Sequence, residues 1–310
     1  MINKEPINQT KLFGLNIFIN ELIQLEQKNM LPNKILLSGQ KGIGKSTLAY
    51  HFINYVLSKN EEFKYNVDDL EINTNNHSYK LSLNKSNPNL ISVDVNVDKK
   101  MIDINQIREL ISNLNKSSFN EKPRFVLIDN IEFLNINSVN ALLKVLEEPN
   151  HNIFFILINN DKKVLSTLKS RCINFRISLS NEESLLVANN LLDGKLNDLI
   201  NKDLINFYLT PGNIFNLVKF SLQNKYDLRN IDLKEFLNIL IKNSHYKKDI
   251  LIRYLIFDIV EFYFNKINNS ITPKIYDSYS YFLKRISNTK KFNLDEESLF
   301  MEFEQKILNG

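Results

Sequence analysis

Short apolar runs and amphipathic stretches alternate through the first half of the chain. Lys34-Ile35-Leu36-Leu37 reads as a buried strand, followed by a glycine-rich turn from Gly39 to Gly44 and a helix from Ser46 to Leu57. Further strands are expected at Leu90 to Val95, at Arg124 to Ile128 ending in Asp129, and at Ile153 to Ile158. Between them, Ile107, Leu110, Ile111 and Leu114 share one stripe of a helix over 104–114. Val139, Leu142, Leu143 and Leu146 repeat at i, i+3, i+4 and i+7, and Pro149 marks the stop of that helix. Strands alternating with helices predict an α/β class with a mostly parallel sheet and helices on both faces. Residues 60–89 break the rhythm. They are polar, Asn-rich and weakly periodic, and read as an insertion or a surface hairpin.

Beyond Arg176 only the helical period remains. Glu182 to Leu192, Leu196 to Phe207 and Ile214 to Leu222 read as short helices, the last opening after Pro211-Gly212. In the following stretch Ile252, Leu255, Ile256, Ile259 and Tyr263 form one stripe, while Tyr254, Phe257, Val260 and Phe264 make the other faces apolar too. Such a helix is buried inside its domain or against partners, and Leu251 to Ile267 is expected to need cover beyond its own domain. The chain therefore divides into an α/β part over 1–176, a small helical part over 177–224 and a C-terminal helical part over 225–310.

Composition narrows the classes. With 43% hydrophobic and 24% charged residues, the 310-residue chain is neither collagen-like nor wholly disordered. A net charge of +4 is too mild for a dedicated nucleic-acid binder. No apolar run approaches membrane-spanning length, and the opening MINKEPINQT lacks a secretory core, so a cytoplasmic location is expected. One cysteine, Cys172, and four scattered histidines leave no internal disulfide and no thiolate zinc site, so zinc is not expected. Any metal has to arrive with a substrate.

The sharpest chemistry lies in Gly39-Gln-Lys-Gly42-Ile-Gly44-Lys45-Ser46, which fits the phosphate-binding pattern G-x-x-x-x-G-K-[ST]. Glycines let backbone N–H groups curl around phosphate oxygens, and the helix that follows offers its positive end to an anion. In such a loop Lys45 reaches the β- and γ-phosphates, the Ser46 hydroxyl ligates Mg²⁺ and Thr47 lies beside it. The chain has only seven glycines, and three fall in this window, after a strand and before a helix. Asp129, closing its strand, is the candidate for a second Mg²⁺-associated carboxylate. ATP with Mg²⁺ is thus the expected ligand. Cys172 beside Arg171 is not read as a nucleophile, because no histidine lies near it in sequence.

Asn140-Ala-Leu-Leu-Lys-Val-Leu-Glu-Glu-Pro149 resembles the NALLKxLEEP segment of bacterial clamp-loader ATPases, and Ser170-Arg171-Cys172 resembles their SRC motif. The stretch Leu36 to Ala49, together with Ile104 to Leu110, looks most like the delta-prime branch of that family. The resemblance covers residues 12–176 well, and the later helices only by length and order. It implies a AAA+ module with a helical lid and a C-terminal collar. It also implies a subunit that joins gamma/tau and delta partners, and through them a sliding clamp and primed DNA. By the same resemblance Arg171 serves as an arginine finger for a neighbouring subunit's nucleotide site, and Asn159 occupies a polar sensor position after its strand.

Several departures from the family bear on activity. Hydrolysing members carry a glutamate after the Mg²⁺-associated aspartate, whereas Asn130 stands here. Glu132 lies two residues on, and the turn is expected to aim it elsewhere. An arginine that senses the γ-phosphate is replaced by Asn213. The resemblance thus implies a mainly structural subunit with weak or absent hydrolysis of its own. The alternative is an active gamma/tau-like motor.

Overall fold

The computed structural model describes residues 5–96, 99, 101–116, 120–147, 152–192, 194–205, 208–267, 273–292 and 294–309. Glu148, Pro149 and Phe207, singled out above, lie outside these residues. The chain forms two compact units, Met1–Val187 and Ala188–Gly310.

In the first unit the elements run α1 (Asn16–Gln27), β1 (Lys34–Ser38), α2 (Lys45–Ser58), α3 (His77–Leu83), β2 (Leu90–Val93) and α4 (Ile104–Leu114). They continue with β3 (Arg124–Ile128), α5 (Ile136–Glu147), β4 (Ile153–Asn159), α6 (Ser166–Lys169) and β5 (Ile173–Arg176). The strands form one sheet in the order β2-β3-β4-β1-β5, and every pairing is parallel. The chain leaves β1 toward β2 on one side and leaves β4 toward β5 on the other. Neighbouring β1 and β4 therefore flank the point where the winding reverses, the place at which open α/β sheets form a crevice at their carboxyl ends. Register sets Ser38 opposite both Asn159 and Arg176, so the loops after β1, β4 and β5 leave one edge together.

Side-chain alternation explains the two covered faces. Val126 and Ile128 of β3, with Phe155 and Leu157 of β4, pack against Ile107 and Leu110 of α4 and Leu142 and Leu146 of α5. On the opposite face Phe52 of α2 meets Phe125 edge-on at 6.3 Å. Each fully buried aliphatic or aromatic side chain here contributes about 1.5–3 kcal/mol over leaving it exposed. Helix α4 starts where the sequence places it because Asp103 and Gln106 form a capping box: Asp103 Oδ1 accepts from the Gln106 N–H at 3.2 Å, and Gln106 Oε1 accepts from the Asp103 N–H at 3.1 Å.

Residues 60–89 include an exposed antiparallel turn closed by Asn66 and Glu71, in line with the surface-hairpin reading, and more besides. They hold α3 and a buried amide network. Asn76 caps α3 by accepting from the Tyr79 N–H at 2.8 Å, and donates to the Phe63 carbonyl at 2.9 Å. Asn54 of α2 donates to Asn76 Oδ1 at 3.1 Å. Lys122 pairs with Glu61 at 2.9 Å and donates to the Leu57 carbonyl at 2.7 Å. Side-chain amides here complete the hydrogen bonding that a regular element would otherwise supply from its backbone.

No strand occurs in the second unit among the described residues. Helix α7 (Asn181–Leu192) runs across the boundary. It is followed by α8 (Pro211–Asn224), α9 (Leu233–Lys242), α10 (His245–Lys248), α11 (Ile250–Ile267), α12 (Pro273–Phe292) and α13 (Glu296–Phe303). The expected helix over 196–207 is instead two single 3-10 turns, Leu196–Asp198 and Lys202–Leu204. Asn189 Oδ1 takes the Leu196 N–H at 2.7 Å, and Asn201 Oδ1 takes the Asp203 N–H at 3.0 Å. These side-chain acceptors compete with helical bonding. Among the described side chains of α11, no apolar one is left exposed. Ile252, Leu255, Ile256, Phe257, Ile259, Val260, Tyr263 and Phe264 are buried within the unit. Phe264 lies 5.8 Å from Phe282 and 5.5 Å from Phe303, and Phe257 lies 5.2 Å from Phe300. The side chains of Leu251 and Tyr254 are outside the described set. Among the described residues no helix is long and apolar enough to cross a membrane.

Candidate functional site

At the carboxyl edge of β1, Gly39 begins a loop that only glycine fits. A Cβ there would lie 2.2 Å from the Ile177 carbonyl oxygen, just past β5. Gly42 sits mid-loop, and Gly44 closes the loop in a left-handed conformation (φ 96°) as the residue before α2. The N–H groups of Lys45, Ser46 and Thr47 are therefore among the unpaired first-turn donors of a 14-residue helix, facing the loop.

Lys45 is only 3% exposed, and its ammonium donates to the carbonyls of Gly39 (2.8 Å) and Gln40 (2.7 Å) and to Asn160 Oδ1 (2.9 Å). Burial pulls its pKa down to about 8 against the pull of Asp129, Glu132 and Asp161. Across the loop the Ser46 hydroxyl donates to Asp129 Oδ2. Burial raises the Asp129 carboxyl above its ordinary range, partly offset by that Ser46 hydrogen bond. Asn130 takes the left-handed conformation (φ 55°), and its N–H donates to Asp129 Oδ1 at 2.7 Å.

That reversal returns Glu132 to the site, contrary to the expectation that the turn aims it away. Glu132 lies in the 3-10 turn Ile131–Phe133 and accepts from Asn160 Nδ2 at 3.0 Å and from the Asn160 N–H at 3.4 Å. Asn160 Nδ2 also donates to Asn130 Oδ1 at 2.8 Å, and Asn130 Nδ2 donates to Asp94 Oδ1 at 2.7 Å. A continuous chain of hydrogen bonds thus runs from Asp94 at the end of β2, through Asn130 and Asn160, to Lys45. Asn160 occupies the place expected of Asn159. Asn159 belongs to β4 opposite Ser38, is buried, and donates to the Lys162 carbonyl at 3.1 Å. Neither Asp94 nor Asn160 stands out in a sequence where about one residue in seven is Asn. The available signal was their shared position one residue past a strand.

Arg171 stands apart from this cluster. Its Nε donates to Glu147 Oε1 at 3.0 Å, its second terminal nitrogen donates to the same oxygen, and its first donates to the Thr167 carbonyl at 2.8 Å. Arg171 thus joins the end of α5 to the segment after α6. Cys172 is half-buried against the core, and burial pushes its thiol up to about 11, which removes nucleophilic character near neutral pH. Asn213 lies in the second unit, where its N–H donates to the N-cap Thr210 at 3.3 Å.

The donor set fits a magnesium-bound polyphosphate. A glycine loop excludes side chains, a buried ammonium and helix N–H groups offer positive charge, and a hydroxyl beside a carboxylate offers hard oxygen ligands. Among the described residues no three His, Cys, Asp or Glu side chains gather as a metal site.

The family model for "DNA polymerase III, delta subunit" matches residues 14–181. The chain is 26% identical over 284 residues to DNA polymerase III subunit delta′ of Buchnera aphidicola subsp. Schizaphis graminum, covering 86% of this chain and 83% of that one. It is 27% identical over 183 residues to DNA polymerase III subunit gamma of the same organism, covering 58% of this chain and spanning 47% of that relative. Among solved structures it resembles a DNA polymerase III gamma subunit-related protein of Thermotoga maritima, with a TM-score of 0.52 at 16% identity over 91% of this chain and 96% of that one, a likeness of fold. The matched family span runs from just before α1 to the start of α7 and takes in the whole sheet, the Gly39–Ser46 loop, Asp129 and Arg171, so the chain belongs to the DNA polymerase III delta-subunit family, of the delta-prime kind.

Proposed function

We propose that this chain is a mainly structural subunit of the DNA polymerase III clamp loader that binds nucleotide and supplies Arg171 to a neighbour's site. The observation that carries the reading is Asn130. It follows Asp129, reaches Lys45 through Asn160, and both ends of its amide are held, by Asp94 and by Asn160. An amide lacks the basicity to take a proton from water, and a general base is worth about 10²–10⁴-fold.

On this reading the N–H groups of the Gly39–Thr47 segment and the Lys45 ammonium cradle ATP phosphates, with Ser46 and Asp129 as ligands of its Mg²⁺. Asn160 lies where Asn159 was expected to contact the nucleotide. Bound Mg²⁺·ATP supplies charge neutralisation and a shape that a partner can recognise. The partners are gamma/tau and delta subunits and, through the assembly, a sliding clamp and primed DNA, in the cytoplasm. The helical region divides into a lid over 177–224 and a collar over 225–310.

Arg171 is suited to a role in trans because its ties are surface ties. Its side chain is 34% exposed and that of Glu147 is 56% exposed, and exposed pairs are worth about 0–1 kcal/mol. A guanidinium released into a neighbouring nucleotide site stabilises charge developing on the γ-phosphate. Arg171→Ala is expected to leave folding and assembly intact and to depress ATP turnover of the reconstituted complex. Arg171→Lys is expected to rescue poorly, because it lacks the planar fork. Wild-type turnover and clamp loading by fully assembled Arg171→Ala complexes would contradict the role.

Glu132 favours a second reading, the gamma/tau-like motor, because its carboxylate reaches the site through Asn160. Turnover by the isolated chain separates the two. A rate near about 1 s⁻¹ that Glu132→Gln abolishes marks the motor, and negligible turnover marks the structural subunit.

A further inference from the structure

The loop after β4 carries a cation that the phosphate-binding motif does not include. Asn159, buried at the end of the strand, clamps the Lys162 carbonyl at 3.1 Å, and Asp161 between them takes a left-handed conformation (φ 54°). This tight turn fixes where the Lys162 side chain starts. Its ammonium lies 4.5 Å from the ring centroid of Phe133, the residue next to Glu132. The ring face orients the lysine stem and favours the charged form. Burial lowers the Lys162 pKa, Glu132 raises it and Lys41 of the glycine loop lowers it, so its charge interacts with both walls of the site.

Glu132 thus attracts two ammonium groups, Lys45 and Lys162. Asn160 couples it to Lys45 through bonds of 3.0 and 2.9 Å. A phosphate held only by Lys45 and the loop N–H groups needs nothing further. A terminal phosphate that reached past Lys45 to Asn160 would meet the Glu132 carboxylate bonded to that amide, whose charge would repel it. A second cation close to Glu132, seated on the neighbouring Phe133 ring, would offset that repulsion for a terminal phosphate.

We infer that Lys162 addresses the terminal phosphate and makes the Gly39–Ser46 loop favour a nucleoside triphosphate over a diphosphate. This rests on the nucleotide-binding reading above. The test is equilibrium binding of Mg²⁺·ATP and Mg²⁺·ADP to the full chain as wild type, Lys162→Ala, Lys162→Arg and Lys45→Ala. Lys162→Ala is expected to weaken ATP about tenfold, the worth of one charge-assisted contact, with ADP held within about twofold. Lys162→Arg is expected to keep the preference. The Asn159 bond that shapes this turn goes to the Lys162 backbone carbonyl, which the substitution keeps. An unchanged ATP-to-ADP ratio in Lys162→Ala, or an equal loss for both nucleotides, overturns the inference while Lys45→Ala still abolishes binding. Nucleotide binding that survives Lys45→Ala overturns the loop reading itself, and the inference falls with it.

Discussion

Lys45 sets the pH response of the site. Its pKa of about 8 means that the ammonium gives up its proton across the mildly alkaline range rather than near the ordinary lysine value of 10.5. A phosphate favours the charged form, so binding near pH 8 is expected to take up protons, and affinity is expected to fall as pH rises from 7 to 9. Calorimetry in two buffers of different ionisation enthalpy reads the uptake. Flat affinity with no uptake contradicts the assignment. For stability the sign runs the other way. Between about 8 and 10.5 the unfolded chain holds more protons than the folded one, so the burial penalty at Lys45 is relieved as pH rises through that window. The glycine loop and Asp129 were legible in the sequence because their chemistry demands particular residue types at fixed spacing. The choice between Asn159 and Asn160 was not, since a strand's side chains alternate and one step past its end decides which amide enters the site. The turn that brings Glu132 inward is hidden for a related reason: Asn favours the left-handed conformation that Asn130 takes, but Asn is too common in this chain for one of them to mark a turn.

At the level of elements, α4 and α5 follow from periodicity, since each presents one apolar face to the core, and the inner strands follow from unbroken apolar runs, since both their faces are covered. Helix α1 and strand β5 are not among the elements that the pattern predicts. Strand β5 is a four-residue edge with an exposed Ile173, so alternation has little length in which to show itself. The Asn-rich stretch over 60–89 was the hardest, because its order comes from side-chain amides rather than apolar spacing. Asn76 is the test case. It is fully buried, caps α3 and uses its Nδ2 on the Phe63 carbonyl. Asn76→Ala is expected to cost about 2–3 kcal/mol by removing the cap and leaving a buried carbonyl without its donor. Asn75→Ala, one exposed residue away, is expected to change stability by less than about 0.5 kcal/mol. Urea unfolding of both variants measures the contrast. Equal stabilities dismiss the network as a structural element.

On the scale of the whole molecule, the loop residues all lie in the Met1–Val187 unit, and α11 finds its cover inside the Ala188–Gly310 unit. Binding at the loop is therefore expected to stabilise the first unit selectively. At 100-fold excess over the dissociation constant the gain is about 2.7 kcal/mol. Hydrogen exchange on the full chain with saturating Mg²⁺·ATP is expected to slow in β1, α2 and the segments around Asp129 and Asn160, with α11 and α13 unchanged. Equal slowing throughout both units contradicts this local response.

The chain of hydrogen bonds from Asp94 to Lys45 also has a kinetic meaning. Asn160 uses both N–H donors on Asn130 and Glu132 and its carbonyl on Lys45, while the Gly39 and Gln40 carbonyls hold the same ammonium. A phosphate reaching Lys45 must displace these oxygens, and they remain within reach afterwards as tethered competitors. Each time the phosphate loosens, an internal oxygen can recapture the ammonium before a new anion arrives. The same contacts that keep Lys45 in place are thus expected to shorten the residence time of an anion bound there.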